Sequence, residues 1–191
     1  MSLAQTLNKV EEITKRPDAR ARALLSANAI IQDICNNADF PEDLVEVSLA
    51  NPTPDKANFT ISLNIPDNPP VRKIEILVAN GKPLKYIKPR AAVTNSGCSP
   101  VNAYYRAGSN LNISAEFAPP LVAMSYYQQT EYLSESATHW LEAEAEYILI
   151  LGICASVFRA TGDDTSGQEY EGQYRLARQQ FRRMRADSED L

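Results

Sequence analysis

The spacing of apolar residues changes twice along this chain, and each change calls for a different backbone. Up to about residue 38 the apolar positions recur every three or four residues, the period of a helix. From Phe40 they alternate at every second residue, the period of a strand, and after Ser134 the helical period returns. A chain of 191 residues in this order folds its two ends together and lets the middle project from them as an insertion. The fold class that follows is α+β. Residues 1–40 and 134–191 form a helical bundle, and residues 41–133 a mostly antiparallel β-rich insertion, within one structural domain overall.

The opening helix starts at the capping residue Ser2 and places Leu3, Leu7, Val10 and Ile13 on one stripe. Arg16-Pro17-Asp18 breaks it, because the residue before a proline avoids the α region. Asp18 then caps a second helix running to about Ala38. Its expected buried stripe is Ala21, Leu24, Leu25, Asn28, Ile31, Ile34 and Cys35, with Arg20 and Arg22 outside.

Prolines 41, 52, 54, 66, 69 and 70 forbid long helices in the next section. Between them lie alternating runs: 44–49, 59–65 and 74–78. Asn80-Gly81 marks a two-residue hairpin turn with a return strand at 84–87. A polar loop at 94–97 precedes a second hairpin, 102–106 against 111–117, turning at Gly108-Ser109-Asn110. After Pro119-Pro120 comes a last strand, Leu121 to Gln128. Six to eight strands, mostly antiparallel, are expected in a sheet or small sandwich.

Thr138 to Arg159 reads as one helix, apolar almost all round in its second half and so the buried centre of the bundle. Trp140, Leu141, Ile148, Leu151 and Phe158 are its expected core. Gly162 suits the left-handed position beyond its end. A last amphipathic helix runs from about Thr165 to Ala186 and leads into an acidic tip, Asp187, Glu189 and Asp190.

Composition narrows the function classes. A net charge of −5 argues against general affinity for nucleic acid or acidic membrane. Cys35, Cys98 and Cys154 are widely spaced and odd in number, which suggests neither a disulfide framework nor a zinc site. The N-terminus shows no signal-peptide core, and the longest apolar run is too short to span a bilayer. The reading is a soluble chain with no membrane partner.

No catalytic site is expected. The single histidine, His139, sits at a helix start without a companion nucleophile motif, where a structural role is the simpler reading. Asp163-Asp164 with Glu169 and Glu171 lacks the EF-hand spacing and suits the positive end of a helix dipole. Glu142, Glu144 and Glu146 read as helix residues, two of them sharing a solvated face. Phosphate-cradling glycine motifs are absent from the sequence. The chain therefore reads as a non-enzyme, with no cofactor and no metal.

Two features point to contacts instead. Tyr104-Tyr105 and Tyr126-Tyr127 lie on expected strands, so one ring of each pair faces the core and the other the rim. In the last helix Tyr174, Ala177, Phe181 and Met184 form a seam, and Arg175, Arg178, Arg182 and Arg185 follow one residue behind. Arginines bordering an apolar seam mark an edge that meets another chain. The candidate interface is Tyr174, Arg175, Arg178, Phe181, Arg182 and Arg185. The alternative is a nucleic-acid-binding module that uses the same arginine-rich helix.

The order of these motifs resembles the bacteriophage head-to-tail connector (portal adaptor) proteins of tailed phages. The likeness is carried by Tyr104-Tyr105-Arg106, Leu111-Asn112-Ile113, Met124-Ser125-Tyr126-Tyr127, Leu133-Ser134 and His139-Trp140-Leu141 with its apolar helix. The Tyr and Arg repeats of 170–182 continue it. Near the start, Thr14-Lys15-Arg16-Pro17-Asp18 and Ala38-Asp39-Phe40-Pro41 belong to the same pattern, so the likeness spans residues 100–182 and 1–45. It implies a structural virion protein that forms a dodecameric ring under the portal, extends the DNA channel and docks the next tail component. The implied partners are the portal protein, a tail nozzle or tail tube protein, other copies of the chain, and double-stranded DNA passing through without specific binding. The implied location is the head-tail connector of the virion, and the host cytoplasm during assembly.

Overall fold

Helix α1 (Leu3–Thr14) opens with Ser2, whose N–H donates to Gln5 Oε1 at 3.1 Å, and ends where Lys15 turns left-handed at φ 55°. The computed structural model describes residues 2–89 and 100–189 of the chain. The polar loop at 94–97, Cys98 and Asp190 lie outside these residues. Two compact units emerge: residues 1–37 with 131–191, and residues 38–130. The fold is α+β, with helices at both ends of the chain flanking a β insertion.

In the helical unit, α1 is followed by a single 3-10 turn (Pro17–Ala19) and α2 (Arg20–Asn36). Asp18 does not cap α2. Its carboxylate pairs with Arg16 at 2.8 Å, and the helix starts two residues later, because proline tightens the turn before α-helical bonding begins. The buried stripe of α2 also differs from expectation. Ala23 and Ala27 are buried, whereas Ala21 and Leu25 face outward. Small residues on this face let the backbones come close, and Ser26 reaches Ser156 at 2.7 Å. On α1, Thr6 and Thr14 are buried, and Ile13 is 40% exposed.

The expected helix from Thr138 to Arg159 is two helices, α3 (Trp140–Glu144) and α4 (Glu146–Ala160), separated at Ala145 (φ −141°, ψ 35°). No glycine or proline marks the break. It is a tertiary effect: Ala145 is fully buried, and the two sides have different partners. Trp140 stacks on Phe181, with ring centroids 6.5 Å apart, whereas Glu146 takes Lys9 at 2.6 Å and the Thr6 hydroxyl at 3.3 Å.

Helix α4 packs against α1, α2 and the last helix, α5 (Asp164–Glu189). Ile148, Leu149, Ile153 and Cys154 are fully buried, as is Leu141 of α3. Trp140, Leu151 and Phe158 are only partly covered, because they point away from this centre. Asn28, almost fully buried on α2, donates to Leu133 O at 3.1 Å and accepts from Leu133 N–H at 2.6 Å, which fixes the segment entering α3.

The β unit holds eight described strands: β1 (Leu44–Ala50), β2 (Asn58–Ser62), β3 (Val71–Ala79), β4 (Lys82–Pro83), β5 (Lys85–Tyr86), β6 (Ala103–Ala107), β7 (Asn110–Ser114) and β8 (Leu121–Gln128). They form two sheets, ordered β1-β8-β3-β4 and β2-β7-β6-β5. The core between them includes Phe59, Ile61, Leu111 and Ile113 from one sheet, and Leu77, Val122, Met124 and Tyr126 from the other. Asn80 and Gly81 have φ of 52° and 73°, the conformation a two-residue hairpin turn demands, and Ala79 pairs with Lys82. The return strand is not continuous. Lys82–Pro83 closes the first hairpin, and then Lys85–Tyr86 crosses to the other sheet and pairs parallel with β6. Leu84 N–H still donates to Leu77 O at 2.7 Å, and the chain leaves the first sheet after it.

Candidate functional site

The last helix owes its direction to the turn before it. Gly162 (φ 84°) follows the C-cap residue Thr161. Gly162 N–H donates to Arg159 O at 3.2 Å and Asp163 N–H to Phe158 O at 3.0 Å, satisfying the end of α4. Asp163 then caps α5: its Oδ1 accepts the Ser166 N–H at 3.0 Å, and hydrogen bonding from Ser166 holds the carboxyl pKa below its ordinary value. This is the use the structure makes of the Asp163-Asp164 pair. Gly167 allows the two helices to cross closely, since a Cβ there would meet Arg159 Cγ at 2.6 Å.

The seam read from the sequence is split. Ala177 and Phe181 are buried, Tyr174 is half-buried, and Met184 is 59% exposed. Phe181 meets Trp140, and Arg185 covers both rings, with its guanidinium carbon 5.5 Å from the Trp140 centroid and 5.6 Å from that of Phe181. Arg185 also pairs with Glu144. Part of the candidate interface therefore serves the helical unit itself.

The arginines divide in the same way. Arg178 pairs with Asp33 of α2 and is largely covered, Arg175 pairs one turn back with Glu171, and Arg182 is exposed. Glu171 also pairs with Arg159 from α4. Arg175 and Arg178 join Arg22, Arg159 and Tyr174 around a groove of about 540 Å³ between α2, α4 and α5. Gly152 forms part of its floor. A Cβ at that position would come within 2.6 Å of Ile30 Cδ1 and 3.0 Å of the Tyr174 ring. Burial raises the pKa of the Tyr174 hydroxyl, so it stays protonated as a neutral polar group.

Facing away from the groove, α5 presents Leu176, Gln180, Arg183 and Met184, all exposed and spaced along one stripe of the helix. Leu176 and Met184 are 63% and 59% exposed. Two large apolar side chains two turns apart, with an arginine between them, form a contact face of the kind enriched at interfaces.

The other candidates are engaged locally. His139 caps α3, its Nδ1 accepting the Leu141 N–H at 3.2 Å. Cys35 and Cys154 are buried thiols, and burial pushes the pKa of Cys154 up to about 12, far from reactive thiolate. Glu142, Glu144 and Glu146 do not share a solvated face. Glu142 is 1% exposed, Glu144 holds Arg185 and Glu146 holds Lys9. In the β unit, Tyr104 and Tyr126 face the core, and Tyr126 donates to Pro69 O at 3.0 Å. Tyr127 lies under Arg72 and Lys73, at 5.5 and 5.4 Å. No described helix is long and apolar enough to cross a membrane.

Arg22 and Arg159 escape sequence reading as partners of the stripe, because they sit on other helices and no local spacing links them to Tyr174. Leu176 was readable in principle, since it stands two turns before Met184. No protein-family model matches this chain, and no curated protein matches it.

Proposed function

We propose that this chain is a structural virion protein, a head-to-tail adaptor whose copies form a dodecameric ring under the portal of a tailed phage. The ring extends the DNA channel and docks the next tail component, a nozzle or tube protein. The outward face of α5 carries this reading: Leu176 and Met184, with Arg183 between them, stand exposed on a helix whose other side is anchored to Trp140 and Asp33. A rigid helix with one buried and one apolar-basic outer face suits lateral or axial contact between subunits. The ordered motifs shared with portal adaptors support it, as does a net charge of −5, which keeps channel walls from gripping DNA phosphates.

The test is a Leu176→Glu/Met184→Glu double variant. Its circular dichroism should match the parent, because both side chains are exposed, while its association with the portal or with other copies should weaken at least about tenfold. Unchanged association in a folded double variant would remove this face from the assembly.

A further inference from the structure

The groove beside Tyr174 concentrates more positive charge than its own acids neutralise. Four guanidinium groups, from Arg22, Arg159, Arg175 and Arg178, line it together with a single carboxylate, Glu171. Glu171 is shared by Arg159 and Arg175, and Arg178 draws on Asp33 from outside the lining. Arg22 has no acidic partner at ion-pair distance among the described residues. This surplus stands in a chain whose net charge is −5, and it comes from three separate helices. The floor is of another character: Gly152, Ala155 and Ile30 keep it small and apolar, and the Tyr174 ring forms one wall.

We infer that this groove is a binding site for an acidic peptide segment of a partner protein, one with carboxylates flanking an apolar side chain. Guanidinium groups take carboxylates in bidentate pairs, and arginines spread around a rim match side chains spaced along a segment. The apolar floor gives the intervening side chain a dry surface. A volume of about 540 Å³ accommodates a few side chains. The backbone of a nucleic acid fits less well, because its phosphodiester chain has no apolar group to set against the floor of Ile30, Gly152 and Ala155. The inference goes beyond the adaptor reading and needs neither a ring nor a portal.

The probe is a fluorescent acidic peptide of alternating Glu and Leu, measured by anisotropy at low salt against the intact protein. Its Gln-for-Glu counterpart, inorganic phosphate and a short DNA duplex are the comparisons. The acidic peptide should bind and the Gln peptide should not. Affinity should fall about tenfold or more in Arg22→Glu/Arg175→Glu, both exposed positions, and again as salt rises. Ala160→Glu, an exposed lining position, is the second variant and should weaken binding in the same direction. Absent peptide binding, equal binding by the folded variants, or tighter capture of duplex or phosphate would each overturn the assignment. A failure here leaves the outward face of α5 untouched, and a failure there leaves this groove untouched.

Discussion

Arg185 lies over Trp140, its guanidinium carbon 5.5 Å from the ring centroid, and the same indole stacks on Phe181 from the preceding turn of α5. The stack ties α5 to α3. Phe181→Ala should cost about 3–5 kcal/mol, since a buried ring is removed and its site cannot collapse fully. Arg185→Ala should cost about 1–2 kcal/mol through the lost cation–π contact and covered ion pair. Chemical denaturation of both variants checks the order. A larger loss for Arg185→Ala than for Phe181→Ala would mean the ring stack is not the anchor.

In α4 the cost of truncation should follow burial and not hydrophobicity. Ile153 is fully buried and Leu151 only partly so. Ile153→Ala should lose about 2–5 kcal/mol, and Leu151→Ala about 1 kcal/mol. Thermal midpoints of the two variants read the difference directly.

Glu142 should make stability fall as pH rises. Burial, with Glu146 adding repulsion, lifts its pKa from an ordinary 4.5 to about 7. The folded protein therefore holds a proton that the unfolded chain has released. The penalty is absent below about pH 4.5, grows through neutrality and is complete above about pH 7. At full size it is on the order of 3 kcal/mol. Glu142→Gln should stabilise the protein at pH 8 and change little at pH 4.5, as judged by denaturation at both values. Equal effects at the two pH values would show that the carboxyl is solvated.

Gly152→Ala should strain the groove. The added methyl meets Ile30 and the Tyr174 ring, and overpacking of this kind costs about 1–3 kcal/mol. A lowered unfolding midpoint with a changed tyrosine fluorescence would report the displaced ring.

Much of the architecture was legible in the sequence from local signals, although Asp18, read as a helix cap, pairs with Arg16 instead. Asn80-Gly81, the 121–128 strand, the one-in, one-out tyrosine pairs and Gly162 all appear as read, since each rests on periodicity or on a backbone conformation only certain residues adopt. Features set by tertiary packing were not legible. The break at Ala145 has no local mark, and α2 turned its stripe toward Ala23 and Ala27 because small residues permit close approach. The arginine stripe looked uniform in sequence. Its members diverged because Asp33, Glu144 and Glu171 reach some of them and not others.

The most direct test of the adaptor account is to mix the purified chain with the assembled portal protein that the account assigns to it and weigh the complex by native mass spectrometry. The account predicts a complex heavier than the portal by twelve copies of this 21.2 kDa chain, and none with the Leu176→Glu/Met184→Glu variant. A folded chain that ignores the portal but binds short DNA duplexes in a salt-dependent way would contradict it and identify a nucleic-acid-binding module instead.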